Sequence, residues 1–189
     1  MNNPHAPVMV SPEPTPNPNS TRYAVNRTLL EGPGRDFPNP LSAANSLLSR
    51  ELFLLPNVQS IYIGRDFVTV TTSVPNAWAI PPLVIQCIEN HIAGGQPAVT
   101  DGPTAAPSEH TLNMSEAALK IIRVLDAEIR PAVAMDGGDI VFNSYENGVL
   151  KLQLRGSCHS CPSSLVTLKN GIQARLKKDF PELVSVEAV

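Results

Sequence analysis

The sequence predicts an α+β protein of two small domains joined by a flexible linker. Three observations carry that expectation. Runs rich in β-branched residues alternate with apolar stripes at helical spacing, and this happens in two separate series. Between them lies GGQPAVTDGPTAAPSEH (94–110), a small, polar, Pro/Gly-rich stretch with no apolar periodicity. The 189 residues, 42% of them hydrophobic, suffice for one or two packed cores.

Residues 1–19 are expected to form a disordered Pro-rich tail, because Pro4 to Pro18 offer Pro and Asn but no apolar pattern. The first domain, 20–93, reads β-α-β-β-α. Its opening strand, 21–30, places Tyr23, Val25 and Leu29 on one side. A helix over 41–53 gathers Ala44, Leu47, Leu48 and Leu52. Val58–Ile63 and Phe67–Thr72 follow as strands, with Gly64-Arg65-Asp66 suited to a tight turn. Pro81 and Pro82 start the last helix; Val84, Cys87, Ile88 and Ile92 share a face, and Gly94-Gly95 stops it.

The linker is expected over 94–111 and the second domain over 112–189, in the order α-β-β-α-β. Asn113 suits an N-cap, with Glu116 three residues on. Ala118, Ile122, Leu125 and Ile129 form an apolar stripe, which Pro131 should kink or interrupt. Asp136-Gly137-Gly138-Asp139 reads as a turn. Strands at 140–145 and 149–155 pair around Asn147-Gly148, a strong hairpin signal. Leu150, Leu152 and Leu154 alternate with Lys151, Gln153 and Arg155, so one face of this sheet is buried and the other wet. After Gly156 comes the loop SCHSCP. Pro162 then opens a helix faced by Leu165, Leu168, Ile172 and Leu176, and LVSVEAV closes the chain as a strand parallel to its sheet neighbour.

Composition excludes some function classes. A net charge of −3 gives no general attraction to nucleic acid or to anionic lipid, and 5% aromatic residues leave little for base stacking. No apolar run reaches the roughly 20 residues that cross a bilayer. The first residues have neither a basic start nor an apolar signal core. A cytoplasmic, bacterial-type protein is therefore expected, with the mitochondrial matrix open only to a processed form.

The chemistry concentrates in Cys158 and Cys161. They stand C-x-x-C between a strand end and a helix start, where exposed N–H groups and the helix dipole favour negative charge. Thiolate is the metal-binding form. Lys151, Arg155, Lys169, Arg175, Lys177 and Lys178 outnumber Asp179 nearby; they form a solvated face or, if close to the loop, favour thiolate. Zinc and iron–sulfur centres usually take four ligands, and this pair supplies two. Cys87 reads as a small buried hydrophobe on another domain's helix, and His159 as a bystander. The simplest complete set is two Cys158/Cys161 pairs across a two-fold axis, holding a labile [4Fe–4S] cluster between two copies of the chain. The alternatives are a thiol–disulfide oxidoreductase using the same pair, and a structural zinc module. Pro162 in place of His after Cys161 speaks against c-type haem.

The second domain resembles the C-terminal domain of the NifU/Nfu family of iron–sulfur carriers, through IRPAVAMDGGDIVF, the hairpin, and GSCHSCPSSLVTLKNGI. The first resembles the Nfu N-terminal domain, through PTPNPN, IGRDFVTVT and Trp78. The resemblance implies that Cys158 and Cys161 bind the cluster, that an upstream donor supplies it, and that apo iron–sulfur client proteins receive it. It implies a carrier and not an enzyme, with the first domain recognising clients or partners. Asp136 to Asp139 match the family's D-G-G-D turn, for which a structural role is favoured over metal contact. Ser163, Ser164 and Thr167 suit the helix start, capping it or donating to cluster sulfur.

Overall fold

A computed structural model describes residues 7–75, 80–100, 115–158 and 162–189, with the side chains of 162–165, 167 and 168 outside the description. The chain divides into two units, Met1–Gly102 and Pro103–Val189.

The first unit is built on an antiparallel sheet of order β1-β2-β5-β4-β3, comprising β1 (Val10–Pro14), β2 (Ser20–Val25), β3 (Arg35–Phe37), β4 (Val58–Ile63) and β5 (Phe67–Thr72). Tyr23, Ile61, Ile63, Val68 and Val70 form its buried face. Against them pack Leu48 and Leu52 from α1 (Leu47–Phe53), and Val84 and Ile88 from α2 (Ile80–Ala93). The helix expected over 41–53 is two pieces. A 3₁₀ segment, Pro40–Asn45, is capped by Asn39, and a fresh N-cap at Ser46 then starts α1 by accepting from Ser49 N at 3.0 Å.

Two expectations for this unit need correction. Residues 10–14 are a paired edge strand and not part of a disordered tail. Backbone pairing needs no apolar sequence, and the prolines fit because of their phase. Met9 O accepts from Asn26 N, so residues 11 and 13 point at β2. Pro12 and Pro14 then face the outer edge, where a missing N–H removes no ladder bond. The expected flexible linker, 94–111, also begins too early. Ala98 is buried, and its carbonyl accepts from Ser46 Oγ at 2.6 Å. Thr100 N donates to Asn45 O at 2.8 Å. Residues 101–111 of that segment lie outside the described residues.

The second unit has the expected α-β-β-α-β order. Its sheet, β6-β7-β8, comprises β6 (Gly138–Glu146), β7 (Val149–Gly156) and β8 (Ser185–Ala188), with β6 antiparallel and β8 parallel to β7. The helices are α3 (Glu116–Val124), α4 (Arg130–Met135) and α5 (Pro162–Leu176). Ser115 caps α3, accepting from Ala118 N at 3.2 Å; Asn113, the expected cap, lies outside the described residues. Pro131 disturbs the helix as expected, by a slip and not a break. A π turn, Leu125–Ile129, lets Arg130 N reach back five residues to Leu125 O, and helical geometry continues into α4. Ile121, Leu125, Val133, Ile140, Leu150, Leu152, Leu154, Ile172 and Leu176 fill the core. Arg175 clamps α5 to the π turn through both oxygens of Glu128, at 2.6 Å each, and also pairs with Asp179. No described helix is long and apolar enough to cross a membrane.

The β6–β7 hairpin turns at Asn147 (φ 51°) and Gly148 (φ 77°), the left-handed pair that a two-residue turn of this hand requires. A Cβ on Gly148 would also stand 2.6 Å from Glu182 O. Replacing Gly148 by Ala should therefore destabilise the protein by about 1–3 kcal/mol. Urea unfolding monitored by circular dichroism checks this, and an unchanged midpoint would contradict it.

Candidate functional site

The site grows from the end of the β6–β7 ladder. Gly138 on β6 pairs with Gly156, the last residue of β7. Gly156 takes φ 65°, which turns the chain away from the sheet toward Ser157 and Cys158. Beyond the loop, Pro162 opens α5.

Cys158 is 6% exposed, and its sulfur rests on Gly138. A Cβ added to Gly138 would fall 2.5 Å from Cys158 Sγ and 3.0 Å from Arg155 O. Only glycine fits there without displacing the cysteine. The D-G-G-D turn thus has two separate uses for its glycines. Gly137 (φ 76°) makes the bend that closes α4, donating to Ala134 O at 3.0 Å, and Gly138 makes room for sulfur.

A second set of contacts ties this turn to the cysteine loop. Ser157 N donates to Gly137 O at 3.2 Å, and Ser157 Oγ donates to Asp136 O at 2.5 Å. The same Oγ stands 3.8 Å from Cys158 Sγ. Ser157 itself is 2% exposed, while Asp136 on the acceptor side is exposed, so the hydroxyl bond is part-buried. Asp139 is engaged on the helix side: its Oδ1 accepts from Ile140 N at 2.8 Å and lies 3.8 Å from Arg130 Nε. Arg130 in turn donates to Ile140 O at 2.9 Å and pairs with Asp126 at 2.7 Å. Both features support the structural reading of the turn.

Of the residues singled out from sequence, Cys158 is placed at a strand–helix junction as expected. Cys161 and His159 lie outside the described residues, as do the side chains of Ser163, Ser164 and Thr167. Cys87 belongs to the other unit, half-buried on α2; burial first, and the Glu51 carboxylate second, push its thiol up to about 11. His91 is taken up structurally, with Nε2 3.4 Å from Pro97 O and Nδ1 3.7 Å from Glu51. Among the bases, Arg175 is held by Glu128 and Asp179, and Arg155 donates to Gln153 at 2.9 Å. Those contacts favour the solvated-face reading for these two. A groove of about 520 Å³ in the first unit is lined by Pro12, Pro14, Pro18, Pro81 and Pro82, and its described lining includes Glu13 but no thiol or imidazole. Among the described residues, no three of His, Cys, Asp and Glu converge to hold a metal ion.

Sequence reasoning missed Ser157 and the sulfur-facing role of Gly138. Spacing from the Asn147-Gly148 turn gave no such signal: counted from Glu146↔Val149 it sets Gly138 opposite Ser157, and only the one-residue irregularity between Phe142 and Ser144 brings Gly156 opposite Gly138.

Known proteins place these residues in context. The family model described as NifU-like domain matches residues 121–187, and the one described as Scaffold protein Nfu/NifU N terminal matches residues 10–95. The chain is 41% identical over 184 residues to "NFU1 iron-sulfur cluster scaffold homolog, mitochondrial" of Drosophila erecta, covering 96% of this chain and 65% of that protein. It is 39% identical over 184 residues to the human protein of the same name, covering 96% of this chain and 72% of the relative. A solution structure of a NifU-like protein from Saccharomyces cerevisiae, at 22% identity, overlays 54% of this chain and 92% of its own with a TM-score of 0.47. The expectation of a cytoplasmic protein is overturned, since the fly and human relatives are named as mitochondrial. Targeting segments are removed from mature proteins, so the charge and hydropathy of the folded domains say nothing about compartment.

Two outcomes are expected. Gly138→Ala should leave a folded protein that is about 1–3 kcal/mol less stable by denaturant titration, because its Cβ and the Cys158 sulfur need the same space. In the folded chain at pH 8, Cys87 should react with iodoacetamide far more slowly than a free thiol, its rate climbing as pH approaches about 11. Rapid labelling of Cys87 at pH 8 would contradict the burial described above.

Proposed function

This chain belongs to the Nfu family, and on that footing we propose that it carries an iron–sulfur cluster on Cys158 and Cys161 and hands it to apo-proteins. The cluster is cargo, taken from a donor and given up again. The observation that carries this reading is the seat of Cys158. Its thiol is set at the junction of β7 and α5 on a glycine whose added Cβ would fall 2.5 Å from the sulfur. Soft thiolates are the ligands iron–sulfur clusters use, and one chain's C-x-x-C pair offers two of the usual four.

The cluster we propose is [4Fe–4S], bridged between two copies of the chain. Equivalent pairs meeting across a two-fold axis complete the ligand set without recruiting Cys87, whose thiol stays protonated at neutral pH. Bridging also explains delivery. Separating the copies halves the coordination, and a client's own cysteines then displace the remainder by ligand exchange. Shelter of the Cys158 sulfur protects it from oxidation until a donor or a second copy draws it outward. The same shelter weighs against a thiol–disulfide oxidoreductase, whose attacking sulfur must be accessible. The first unit recognises clients or partners in this reading. The names of the relatives support a mitochondrial setting.

Anaerobic reconstitution tests the proposal. The wild-type chain should take up iron and sulfide and turn brown. Cys158→Ser or Cys161→Ser should abolish loading while circular dichroism stays unchanged, and Cys87→Ser should keep the full iron content. Native mass spectrometry of loaded material should find two chains per [4Fe–4S] unit. A loaded single chain would reject the bridged arrangement.

A further inference from the structure

We infer that Ser157 is a positioning residue that keeps the Cys158 thiol parked on Gly138 in the metal-free protein, and so sets how quickly that sulfur becomes available. Its importance for cluster uptake rests on the carrier reading above; its geometry does not. Ser157 makes two bonds to the turn that carries Gly138: its N–H donates to Gly137 O at 3.2 Å, and its hydroxyl to Asp136 O at 2.5 Å. Both acceptors sit just ahead of Gly138, the residue that floors the sulfur. The backbone bond fixes the height of the loop over the turn. The hydroxyl bond fixes its side-to-side placement, because it comes from the side chain of the residue adjoining Cys158. With Oγ 3.8 Å from Sγ and Gly138 beneath, the sulfur is bounded on two sides.

Ser157 is 2% exposed and Asp136 is exposed, so removing the hydroxyl takes away a part-buried tie between loop and turn and leaves the Asp136 carbonyl to solvent. The loop would then lift from the turn at lower cost, and Cys158 would leave its seat more often.

Alkylation of the metal-free, full-length chain by iodoacetamide tests the inference, with fragment mass spectra separating Cys158 from Cys161. Ser157→Ala should raise the Cys158 rate by about fivefold, the factor that a lost hydrogen bond of about 1 kcal/mol supplies. Ser157→Thr, which keeps the hydroxyl, should react at the wild-type rate. Amide hydrogen exchange at Leu150, Leu152 and Leu154 of β7 should be the same in all three proteins. The inference is overturned if Ala reacts at the wild-type rate, if Thr behaves like Ala, or if the β7 amides speed up in step with alkylation. Should the Ala variant fail to fold, Thr and Val, equal in shape and different in the hydroxyl, replace it; equal rates for those two would also overturn the inference. A wild-type chain that never takes up iron and sulfide would remove the carrier reading, while these rates would still decide the role of Ser157.

Discussion

One steric constraint organises the second unit: the Cys158 sulfur occupies the volume that a side chain at position 138 would need. Meeting it requires register. Gly138 reaches its place because β6 pairs with β7 from Glu146↔Val149 at the hairpin to Gly138↔Gly156 at the far end, across an irregularity between Phe142 and Ser144. A slip of one residue would put the Asp139 side chain, or the bend at Gly137, where the sulfur now sits, and would turn Leu150, Leu152 and Leu154 out of the core. Burial of those leucines therefore fixes the cysteine's seat from a distance. A stability term, about 1.5–3 kcal/mol for each fully buried large apolar side chain, acts as a positional one.

The helix before the turn meets the same requirement from the other side. Pro131 lacks an N–H, and the π turn absorbs the slip ahead of it by bonding Arg130 to Leu125. The extra residue changes the phase of α4 relative to α3. Val133 still faces the core, and Arg130 reaches both Ile140 O and Asp126. Helix end, strand start and cysteine loop are then joined through backbone carbonyls, with Asp136 and Gly137 accepting from Ser157. Carbonyls are present whatever the side chain, so the identities that matter most here are small ones: Gly137 for its φ, Gly138 for its volume, and Ser157 for its hydroxyl.

The sequence made much of this legible. β4 and β5 coincide with the two β-branched runs. The Asn147-Gly148 turn, the alternating β7 and the parallel last strand each follow from a local pattern with a direct physical cause. What escaped depends on contacts between distant segments. β1 carries two prolines and no apolar alternation, and it is a strand because β2 offers it an edge. The segment to Thr100 looks like a linker by composition, yet it is held by Ser46 and Asn45. Gly138 and Ser157 were ordinary turn residues until the register brought one beneath the cysteine and the other beside it. The basic residues illustrate the opposite error. Counting them in sequence exaggerates the positive field at the loop, because Arg175 is already paired with Glu128 and Asp179.

The two described cysteines show how one residue type is assigned opposite chemistry by its surroundings. Cys87 lies against an apolar helix face with Glu51 nearby, and both effects hold it in the protonated form, which neither binds metal nor attacks disulfides well. Cys158 is also sheltered, but by different means: a glycine leaves it space, and backbone-anchored hydrogen bonds hold the loop. Cys87 is half-buried beside Val84 and Ile88, and what keeps it unreactive is its raised pKa. Release of Cys158 requires the Ser157 hydrogen bonds at the sheet end to open and its sulfur to leave the second core cluster, a local opening less costly than global unfolding. In the carrier proposed above, Cys158 would be the thiol that a local opening makes available, while half-buried Cys87 stays protonated at neutral pH.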